Sequence, residues 1–321
     1  MNFKPILIAH GEPNSVFLEI FFKLLKYKKF KSPLILICSQ KILKFQMKKL
    51  KFKMGIKILD PSMFNKLKLD NKTINVIDVD YNKNISFQKI STKSNKYIKD
   101  CFEISLKILK SGISTNFING PISKSSFLNK KFLGITEYLQ KKIKSNQSAM
   151  LIYNKKLSVC PITTHLPLKS VVKNITKKKI IEKVILINNF YIKILGFKPK
   201  IAVLGLNPHC ESIEKYNEDE KIIKPTIKYL AKKKINIKGP YSADTAFLKK
   251  NRDKFDVIIG MYHDQVLTPI KTIYEYDAIN LTLGLPFLRV SPDHGPNQKM
   301  LGQNKSNPLS LIRAIEFLEK N

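Results

Sequence analysis

Residues 256–295 read DVIIGMYHDQVLTPIKTIYEYDAINLTLGLPFLRVSPDHG and contain the pattern that decides the fold. The apolar run at 257–259 ends at Gly260, which predicts a short buried strand. His263 and Asp264 follow at once, and α/β enzymes place their chemistry outside the carboxyl ends of strands. The stretch therefore predicts an α/β fold with a site at this strand end. Taken alone, it also fits an ordinary strand-loop-strand connection with its polar residues in solvent.

Arg289 stands in the apolar context LPFLRV of a chain whose cations are almost all lysine. Of the 58 Lys and Arg residues, the only arginines are Arg252, Arg289 and Arg313. A guanidinium grips a phosphate or carboxylate through two parallel hydrogen bonds, whereas an ammonium acts as a point charge. Arg289 is therefore a candidate for binding an anionic group. The alternative is a surface arginine that keeps its charged head in water.

Length and composition bound the class of protein. The 321 residues allow two domains, and the hydrophobic content of 43% supports a real core. No apolar run reaches the roughly 20 residues that a membrane span needs, and the N-terminus lacks a signal-peptide pattern. We therefore expect a soluble cytoplasmic protein. Its four scattered cysteines contain no C-x-x-C pair and are expected to be reduced.

The net charge of +34 admits two explanations. Lysine is spread along the whole chain with isoleucine and asparagine, and all three have A/T-rich codons, so genomic base composition explains the charge. A nucleic-acid-binding protein is the alternative, but such a protein uses more arginine in a concentrated patch. Base composition is favoured, and we expect neither a nucleic-acid nor a membrane partner. The positive field still favours an anionic substrate or cofactor.

The beginning of the chain predicts a βαβ unit, because strands at 4–9 and 32–38 flank an amphipathic helix at 16–27. Both strands are apolar without alternation, as parallel strands covered on two faces are. Further strands are predicted at 74–77, 117–118, 149–153, 157–162 and 200–205, and further helices at 98–109, 177–195 and 307–319.

Three of the five histidines follow predicted buried strands within a few residues: His165, His209 and His263. Parallel strand ends converge in space, so the three imidazoles are candidates for one site. Three imidazoles with an open fourth position suit zinc or a similar divalent ion. Each histidine alone fits an ordinary hydrogen-bonded residue, and no H-x-x-x-H spacing is present.

Five segments, in this order, resemble the 4-hydroxythreonine-4-phosphate dehydrogenase family of vitamin B6 biosynthesis. They are residues 163–168 (TTHLPL), 205–209 (GLNPH), 240–245 (PYSADT), 261–265 (MYHDQ) and 280–289 (NLTLGLPFLR). Residues 11–13 (GEP), 119–124 (NGPISK) and 134–137 (GITE) match more loosely. The resemblance implies a two-domain α/β fold like isocitrate and isopropylmalate dehydrogenases, with the active site in the interdomain cleft at a homodimer interface. The expected first domain is 1–130 plus 300–321, and the second, with the metal site and dimer interface, is 131–299.

The resemblance also implies the site. His165, His209 and His263 match metal ligands, with one histidine supplied across the dimer. Zinc is the expected ion, and magnesium, manganese and cobalt are alternatives. Four residues match substrate-contacting positions: Thr136, Lys271, Asn280 and Arg289. Asp244 matches an acidic position near the substrate.

The implied cofactor is NAD, with NADP as an alternative, and it is bound without a G-x-G-x-x-G motif. His294, Gly295 and Asn307 resemble the loop that contacts the adenosine side in the wider superfamily. Alcohol oxidation removes the hydroxyl proton as hydride leaves, and a divalent ion on that oxygen lowers its pKa. Asp244, Asp264 or Lys271 is the candidate proton acceptor, directly or through water.

The expected reaction oxidises 4-phosphooxy-L-threonine to a β-keto acid, which decarboxylates to 3-amino-2-oxopropyl phosphate. Several departures from the family pattern leave the substrate open. Ile135 stands where the family commonly has histidine, and residues 14–18 lack the family's glycines. Val266 replaces a glycine, and Lys299 an acidic residue. A dehydrogenase for another phosphorylated hydroxy acid, such as a four-carbon sugar acid phosphate, is the alternative, followed by a non-catalytic nucleic-acid-binding protein.

Overall fold

The computed structural model describes residues 3–61, 69–83, 87–123, 125–128, 132, 134–213, 216–292 and 295–320. The chain separates into two compact units, one of Met1–Ile135 with Pro286–Asn321 and one of Thr136–Leu285. The sequence prediction placed the second boundary at 299/300. The chain instead returns to the first unit at Pro286, because Leu288–Pro292 is a strand that pairs in parallel with Asn116–Asn119 of that unit.

Strands and α-helices alternate along much of the chain. The strands are β1 (Ile6–Ala9), β2 (Leu34–Cys38), β3 (Ile56–Ile58), β4 (Ile74–Asp78), β5 (Asn116–Asn119), β6 (Ala149–Tyr153), β7 (Ser158–Pro161), β8 (Ile201–Leu204), β9 (Ile237–Tyr241), β10 (Val257–Gly260), β11 (Ile279–Leu283) and β12 (Leu288–Pro292). The helices are α1 (Phe17–Tyr27), α2 (Gln40–Lys49), α3 (Asn95–Lys110), α4 (Ile135–Ile143), α5 (Leu168–Asn174), α6 (Lys177–Phe190), α7 (Lys224–Lys232), α8 (Ala243–Ala246), α9 (Lys249–Arg252), α10 (His263–Tyr274) and α11 (Leu309–Lys320).

The first unit is built on parallel strands in the order β3-β4-β2-β1-β5-β12. The central strands β1 and β2 are buried along their whole length, as their uninterrupted apolar sequences predict. The residues after β1 approach the residues after β5 very closely. A Cβ on Gly120 would lie 2.1 Å from the His10 carbonyl oxygen, so this position requires glycine.

The second unit has the strand order β11-β6-β7-β10-β8-β9. Strands β11, β6 and β7 pair antiparallel, whereas β7, β10, β8 and β9 pair in parallel. A core cluster around Val159, Ala202 and Ile258 fills the space beneath α10. The parallel half of this sheet brings the carboxyl ends of β7, β10 and β8 side by side. These are the strand ends that the three predicted metal ligands follow.

The sequence predicted most buried strands and amphipathic helices of the fold. The βαβ unit, the hairpin of β6 and β7, and helices α3, α6 and α11 are confirmed with small shifts of their ends. Helix α6 leaves the α-helical pattern after Phe190 and continues as a wider turn to Leu195, followed by Gly196 in the left-handed region. Helix α10 was not predicted, because Pro269 inside it normally interrupts a helix.

All four cysteines are free thiols, and Cys38, Cys101 and Cys160 are buried. Burial raises the pKa of Cys160 to about 11, which keeps this thiol protonated at neutral pH. No helix in the described part of the chain is long and apolar enough to cross a membrane.

Candidate active site

His263 begins helix α10 directly beyond strand β10. Its Nδ1 lies 2.6 Å from Asp264 Oδ1, and the side chain is 33% exposed. A proton held on Nδ1 by this carboxylate leaves Nε2 with the lone pair that a metal requires. Gln265 fixes the start of the helix, because its Oε1 accepts from the Met261 amide and its Nε2 donates to the Gly205 carbonyl. The second of these bonds joins the ends of β10 and β8.

His165 lies in the segment that follows strand β7. Thr163 joins that segment to β10, because its amide and its hydroxyl both donate to the Met261 carbonyl, at 3.1 and 2.8 Å. The rings of His165 and His263 come together with their centroids 5.4 Å apart. Two predicted ligands from neighbouring strand ends therefore form a pair within one chain.

His209 follows strand β8 in an exposed one-turn segment, Pro208–Cys210. Its φ of +56° is in the left-handed region, so a strained backbone presents this imidazole to solvent. Asp219, fully buried, holds the loop: its carboxylate accepts from the amides of Leu206 and Asn207 and from Asn207 Nδ2, at 2.8 to 3.0 Å. A Cβ on Gly205 would lie 2.7 Å from Asp219 Oδ1, so only glycine lets the carboxylate approach.

The structure pairs two of the three predicted metal ligands but does not add His209 to them. Across the described residues, no group of three or more His, Cys, Asp or Glu side chains is placed to hold a metal. The donor chemistry nevertheless fits a borderline ion: two adjacent imidazoles, one with a carboxylate on its second nitrogen, are typical zinc ligands. A third ligand has to be supplied from outside this pair.

Asp244, Asp264 and Lys271, the predicted proton acceptors, are all exposed. Asp264 and Lys271 lie seven residues apart in α10, which puts them on the same face of the helix. His263 is the first residue of that helix. Asp244 lies in the short helix α8 of the same unit. The predicted catalytic residues are thus open to solvent.

Two predicted substrate contacts, Thr136 and Asn280, both lie at strand β11 of the second unit. The Thr136 hydroxyl lies 3.3 Å from the Thr282 hydroxyl, which puts the first turn of α4 beside strand β11. Asn280 is two residues before Thr282, on the same face of β11. Its buried Oδ1 accepts no hydrogen bond from any described residue, so it is a candidate acceptor for a bound molecule.

Arg289 belongs to strand β12 of the first unit and is only 1% exposed. Its Nε donates to Asn119 Oδ1 at 2.8 Å, at the end of the neighbouring strand β5. The alternative of a surface arginine is therefore wrong. An anion that Arg289 binds has to be enclosed with it.

The predicted cofactor loop is only partly visible. His294 lies outside the described residues, and Gly295 and Asn307 are exposed. Asn307 Oδ1 accepts from the Leu309 amide at 2.9 Å and so stabilises the start of α11. The buried carboxylate of Glu19 in α1 anchors the preceding segment, because it accepts from the Asn304 and Ser306 amides at 3.1 and 2.7 Å.

Sequence reasoning missed three acidic residues that support these segments: Glu19, Asp219 and Glu137. Each accepts hydrogen bonds from a different segment of the chain, and Glu137 Oε1 accepts from Thr164 Oγ1 at 3.3 Å. A usable signal was present, because acidic residues are few in this lysine-rich chain, at 24 Asp and Glu against 58 Lys and Arg. Sequence reasoning also missed His10 and Glu12, which are fully buried after β1.

Comparison with known sequences assigns a family profile to most of the chain. Residues 29–318 match the family described as "Pyridoxal phosphate biosynthetic protein PdxA". A relative from Sulfurihydrogenibium sp., named 4-hydroxythreonine-4-phosphate dehydrogenase, is 38% identical over 318 residues, covering 97% of this chain and 96% of the relative. A relative from Pectobacterium atrosepticum, named D-threonate 4-phosphate dehydrogenase, is 32% identical over 221 residues, which is 68% of each chain.

Solved structures agree with the sequence relatives. The crystal structure of 4-hydroxythreonine-4-phosphate dehydrogenase from Klebsiella pneumoniae has a TM-score of 0.84 at 25% identity and covers 98% of both chains. Isocitrate dehydrogenase from Methylococcus capsulatus has a TM-score of 0.50 at 10% identity, covering 97% of this chain and 83% of that one, and is similar in fold alone. The predicted α/β fold of the isocitrate dehydrogenase type is confirmed.

Proposed function

Because the chain belongs to the PdxA family of pyridoxal phosphate biosynthetic proteins, we propose that it is a metal-dependent, NAD(P)-linked 4-hydroxythreonine-4-phosphate dehydrogenase. The substrate is 4-phosphooxy-L-threonine, whose secondary hydroxyl on C3 is oxidised to a ketone. A bound NAD or NADP would supply the hydride acceptor for this oxidation. The resulting β-keto acid loses carbon dioxide and leaves 3-amino-2-oxopropyl phosphate.

The observation that carries this proposal is the pair of imidazoles at adjacent strand ends, with ring centroids 5.4 Å apart. His165, His263 and His209 would hold a divalent ion, with zinc as the first choice. When bound, the ion supplies Lewis acidity that lowers the pKa of the substrate hydroxyl. Asp264 accepts the hydrogen bond of His263 Nδ1, and its exposed carboxylate takes up the released proton through water in this proposal.

The charged and polar ends of the substrate have separate partners. Thr136 and Asn280 are grouped around β11, where hydroxyl and amide groups recognise the substrate's polar atoms. Lys271 helps to bind one anionic end of the substrate. Arg289 binds the other anionic end, and its burial makes that contact strong because little water competes for the charge. Gly295 and Asn307 contact the adenosine side of NAD or NADP.

The third metal ligand comes from a second copy of the chain in this proposal. Exposed apolar side chains follow two of the three histidines: Leu168 and Val172 after His165, and Ile213 and Tyr216 after His209. Exposed apolar clusters of this kind mark association surfaces. A two-fold dimer that covers them would carry His209 of one copy towards the His165–His263 pair of the other.

Mixing two inactive variants tests this sharing. His165→Ala and His209→Ala dimers are purified separately, then unfolded and refolded together. If each site takes His209 from the other copy, mixed dimers keep one intact site, and the mixture recovers about a quarter of wild-type specific activity. If all three ligands come from one copy, every site lacks a ligand and the mixture stays inactive. His165→Ala mixed with His263→Ala is the matched control and must remain inactive in the shared arrangement.

The substrate is tested by NADH formation with 4-phosphooxy-L-threonine and with D-threonate 4-phosphate. The two molecules differ only at C2, where the first has an ammonium group and the second a hydroxyl. The second is a specific alternative, because one relative is named for it and because Ile135 replaces the family's histidine. We expect a higher kcat/KM for the amino substrate. A preference for D-threonate 4-phosphate would reassign the substrate while keeping the reaction class. Turnover of neither, by a protein that binds zinc, would reject both substrates.

A further inference from the structure

Glu137 lies between the predicted substrate and metal residues of the second unit, although no role follows for it from the proposed function. It occupies the first turn of α4, next to Thr136. Its Oε1 accepts a hydrogen bond from Thr164 Oγ1 at 3.3 Å, and Thr164 is bonded directly to His165. The carboxylate of Glu137 is therefore hydrogen-bonded to the residue that precedes His165, a member of the histidine pair.

An acidic residue in the first turn of a helix is ordinarily a solvent-exposed partner of the helix dipole. Glu137 departs from that behaviour because its second oxygen, Oε2, is buried and has no hydrogen-bond partner in the part of the chain that the structure describes. A buried carboxylate oxygen without a donor is costly. Such an atom calls for a donor that arrives with a bound group.

Metal binding would fix such a donor in one position. A neutral imidazole that binds a metal through one nitrogen carries its proton on the other, and a carboxylate is a common acceptor for that N–H. His263 already has such a carboxylate in Asp264, at 2.6 Å. On the His165 side of the pair, Glu137 is the carboxylate attached to the segment through Thr164.

We propose that Glu137 is a positioning residue of the metal site, which holds the Thr164–His165 segment and fixes the orientation of the His165 imidazole towards a divalent ion. This inference rests on the proposed function. Glu137 binds neither metal nor substrate itself. Its effect is on metal affinity, and through that affinity on turnover.

The test compares zinc affinity of the metal-free protein and its variants by competition with a chromophoric chelator. Glu137→Gln keeps the shape of the side chain and removes its charge. We expect it to weaken zinc binding by about 10- to 100-fold, the usual effect of losing such a partner. Excess zinc should restore kcat, and KM for the phosphorylated substrate should not change. The visible absorption bands of the cobalt-loaded protein should shift, because the imidazole is held less firmly.

A second pair of variants keeps the test decisive if Glu137→Gln folds poorly. Thr164→Val removes the hydroxyl that donates to Glu137, and Thr164→Ser retains it. We expect Thr164→Val to weaken zinc binding and Thr164→Ser to match the wild type. The effect of combining Thr164→Val with Glu137→Gln should be smaller than the product of the two single effects, because both break one contact.

Glu182→Gln is the matched control, since Glu182 is a helical residue of the same unit whose ion pair is with Lys178. It should bind zinc like the wild type. Wild-type affinity in both Glu137→Gln and Thr164→Val would overturn the inference and leave the proposed function intact. If the wild-type protein itself binds no divalent ion, the proposed metal site and this inference fall together.

Discussion

The two units place histidine and acidic residues at the same kind of position, beyond the carboxyl end of a buried strand, but surround them in opposite ways. In the first unit His10 and Glu12 follow β1 and are fully buried. His10 Nδ1 lies 2.8 Å from the Tyr97 hydroxyl, and burial lowers its pKa to about 3. In the second unit His165 and His263 are half-buried and His209 is exposed. Among the histidines that the structure describes, only those of the second unit are thus accessible to a ligand from solvent.

The contrast also separates two roles of polar side chains. The residues after β1 stabilise the backbone of their own turn. The backbone N–H of Asn14 donates to Glu12 Oε1, and the Ser15 hydroxyl donates to the Glu12 carbonyl. These two residues belong to the turn where the family pattern has glycines, so side-chain hydrogen bonds stabilise the turn in this chain. In the second unit, the segments that carry the histidines are instead held by hydrogen bonds of Thr163, Gln265 and Asp219.

Removing one of the three histidines that follow strands of the second unit, His165, His209 or His263, should reduce activity more than any other change. His263→Ala should lower kcat/KM by about 1,000-fold or more, because the proposed ion would lose one of its ligands and with it the Lewis acidity that lowers the pKa of the substrate hydroxyl. Zinc content, measured by elemental analysis, should fall with it, while the melting temperature of the metal-free protein stays near that of the wild type. His10→Asn is the control from the buried cluster and should retain zinc. Equal zinc loss in both variants would show that His263 has no more influence on zinc binding than the buried His10.

The burial of His10 should make the free energy of unfolding depend on pH. Folding holds the pKa of His10 at about 3, against 6.5 for the exposed side chain. Below pH 6.5, His10 therefore binds a proton in the unfolded chain but stays neutral in the folded chain. The stability contributed by neutral His10 is fully present above pH 6.5 and is lost as the pH falls towards 3, by about 1.4 kcal/mol per pH unit.

This loss is measured as the difference in unfolding free energy between the wild type and His10→Asn from about pH 7 to about pH 4. The difference isolates His10 from Glu12, which has the opposite influence. Burial raises the pKa of Glu12, so its contribution to stability is present at low pH and is lost as the pH rises through that value. A wild-type and a variant curve that run parallel across this range would show that His10 titrates as an exposed residue.

A smaller loss is expected from releasing the loop that carries His209. Asp219→Ala removes a buried carboxylate that accepts three N–H groups, which should cost about 3 kcal/mol of unfolding free energy. The variant should also bind zinc more weakly, because His209 loses its fixed backbone. Glu218→Ala is the control, since Glu218 makes a weaker, 3.3 Å contact with Asn207. Urea denaturation and zinc titration together measure both effects. Equal losses in the two variants would argue against the role of Asp219.

The smallest effect tests the segment before α11. Glu19→Gln should weaken the hydrogen bonds from the Asn304 and Ser306 amides and cost about 1–2 kcal/mol. If this segment contacts the cofactor, KM for NAD should rise while KM for the phosphorylated substrate is unchanged. Glu316→Gln, which affects an exposed pair with Lys28, is the control for a charge change near the same helix. A rise in both KM values would point to a general loss of structure.

Much of the fold was predictable because its signals are local. Apolar runs such as those of β1, β2 and β10 mark buried parallel strands wherever they occur, and the helices that were found have clear apolar faces. The boundary between the units was misplaced, because the membership of β12 depends on pairing with β5, more than 150 residues earlier in the chain. Such a pairing leaves no mark in the sequence of either strand.

The proximity of two candidate site residues was predictable from equally local signals. The positions of His165 and His263 after neighbouring strands predicted that their rings lie close together, whereas the predicted approach of His209 is not seen within the described part of one chain. The supporting carboxylates were not predicted, because Glu19, Asp219 and Glu137 look like any other acidic residue until their partners are known. Glu19, for instance, meets Ser306 across 287 positions of sequence. What a polar residue does depends on tertiary contacts that pattern alone does not encode.

We propose that His165, His263 and His209 together bind one ion on which turnover depends. The most direct test removes metal from the purified protein and then titrates zinc back. Bound zinc and NADH formation from 4-phosphooxy-L-threonine are measured in the same samples. We predict that turnover is lost on removal, rises in proportion to bound zinc, and saturates at about one ion per chain. Turnover that persists without metal, or zinc that binds without restoring it, would contradict the account.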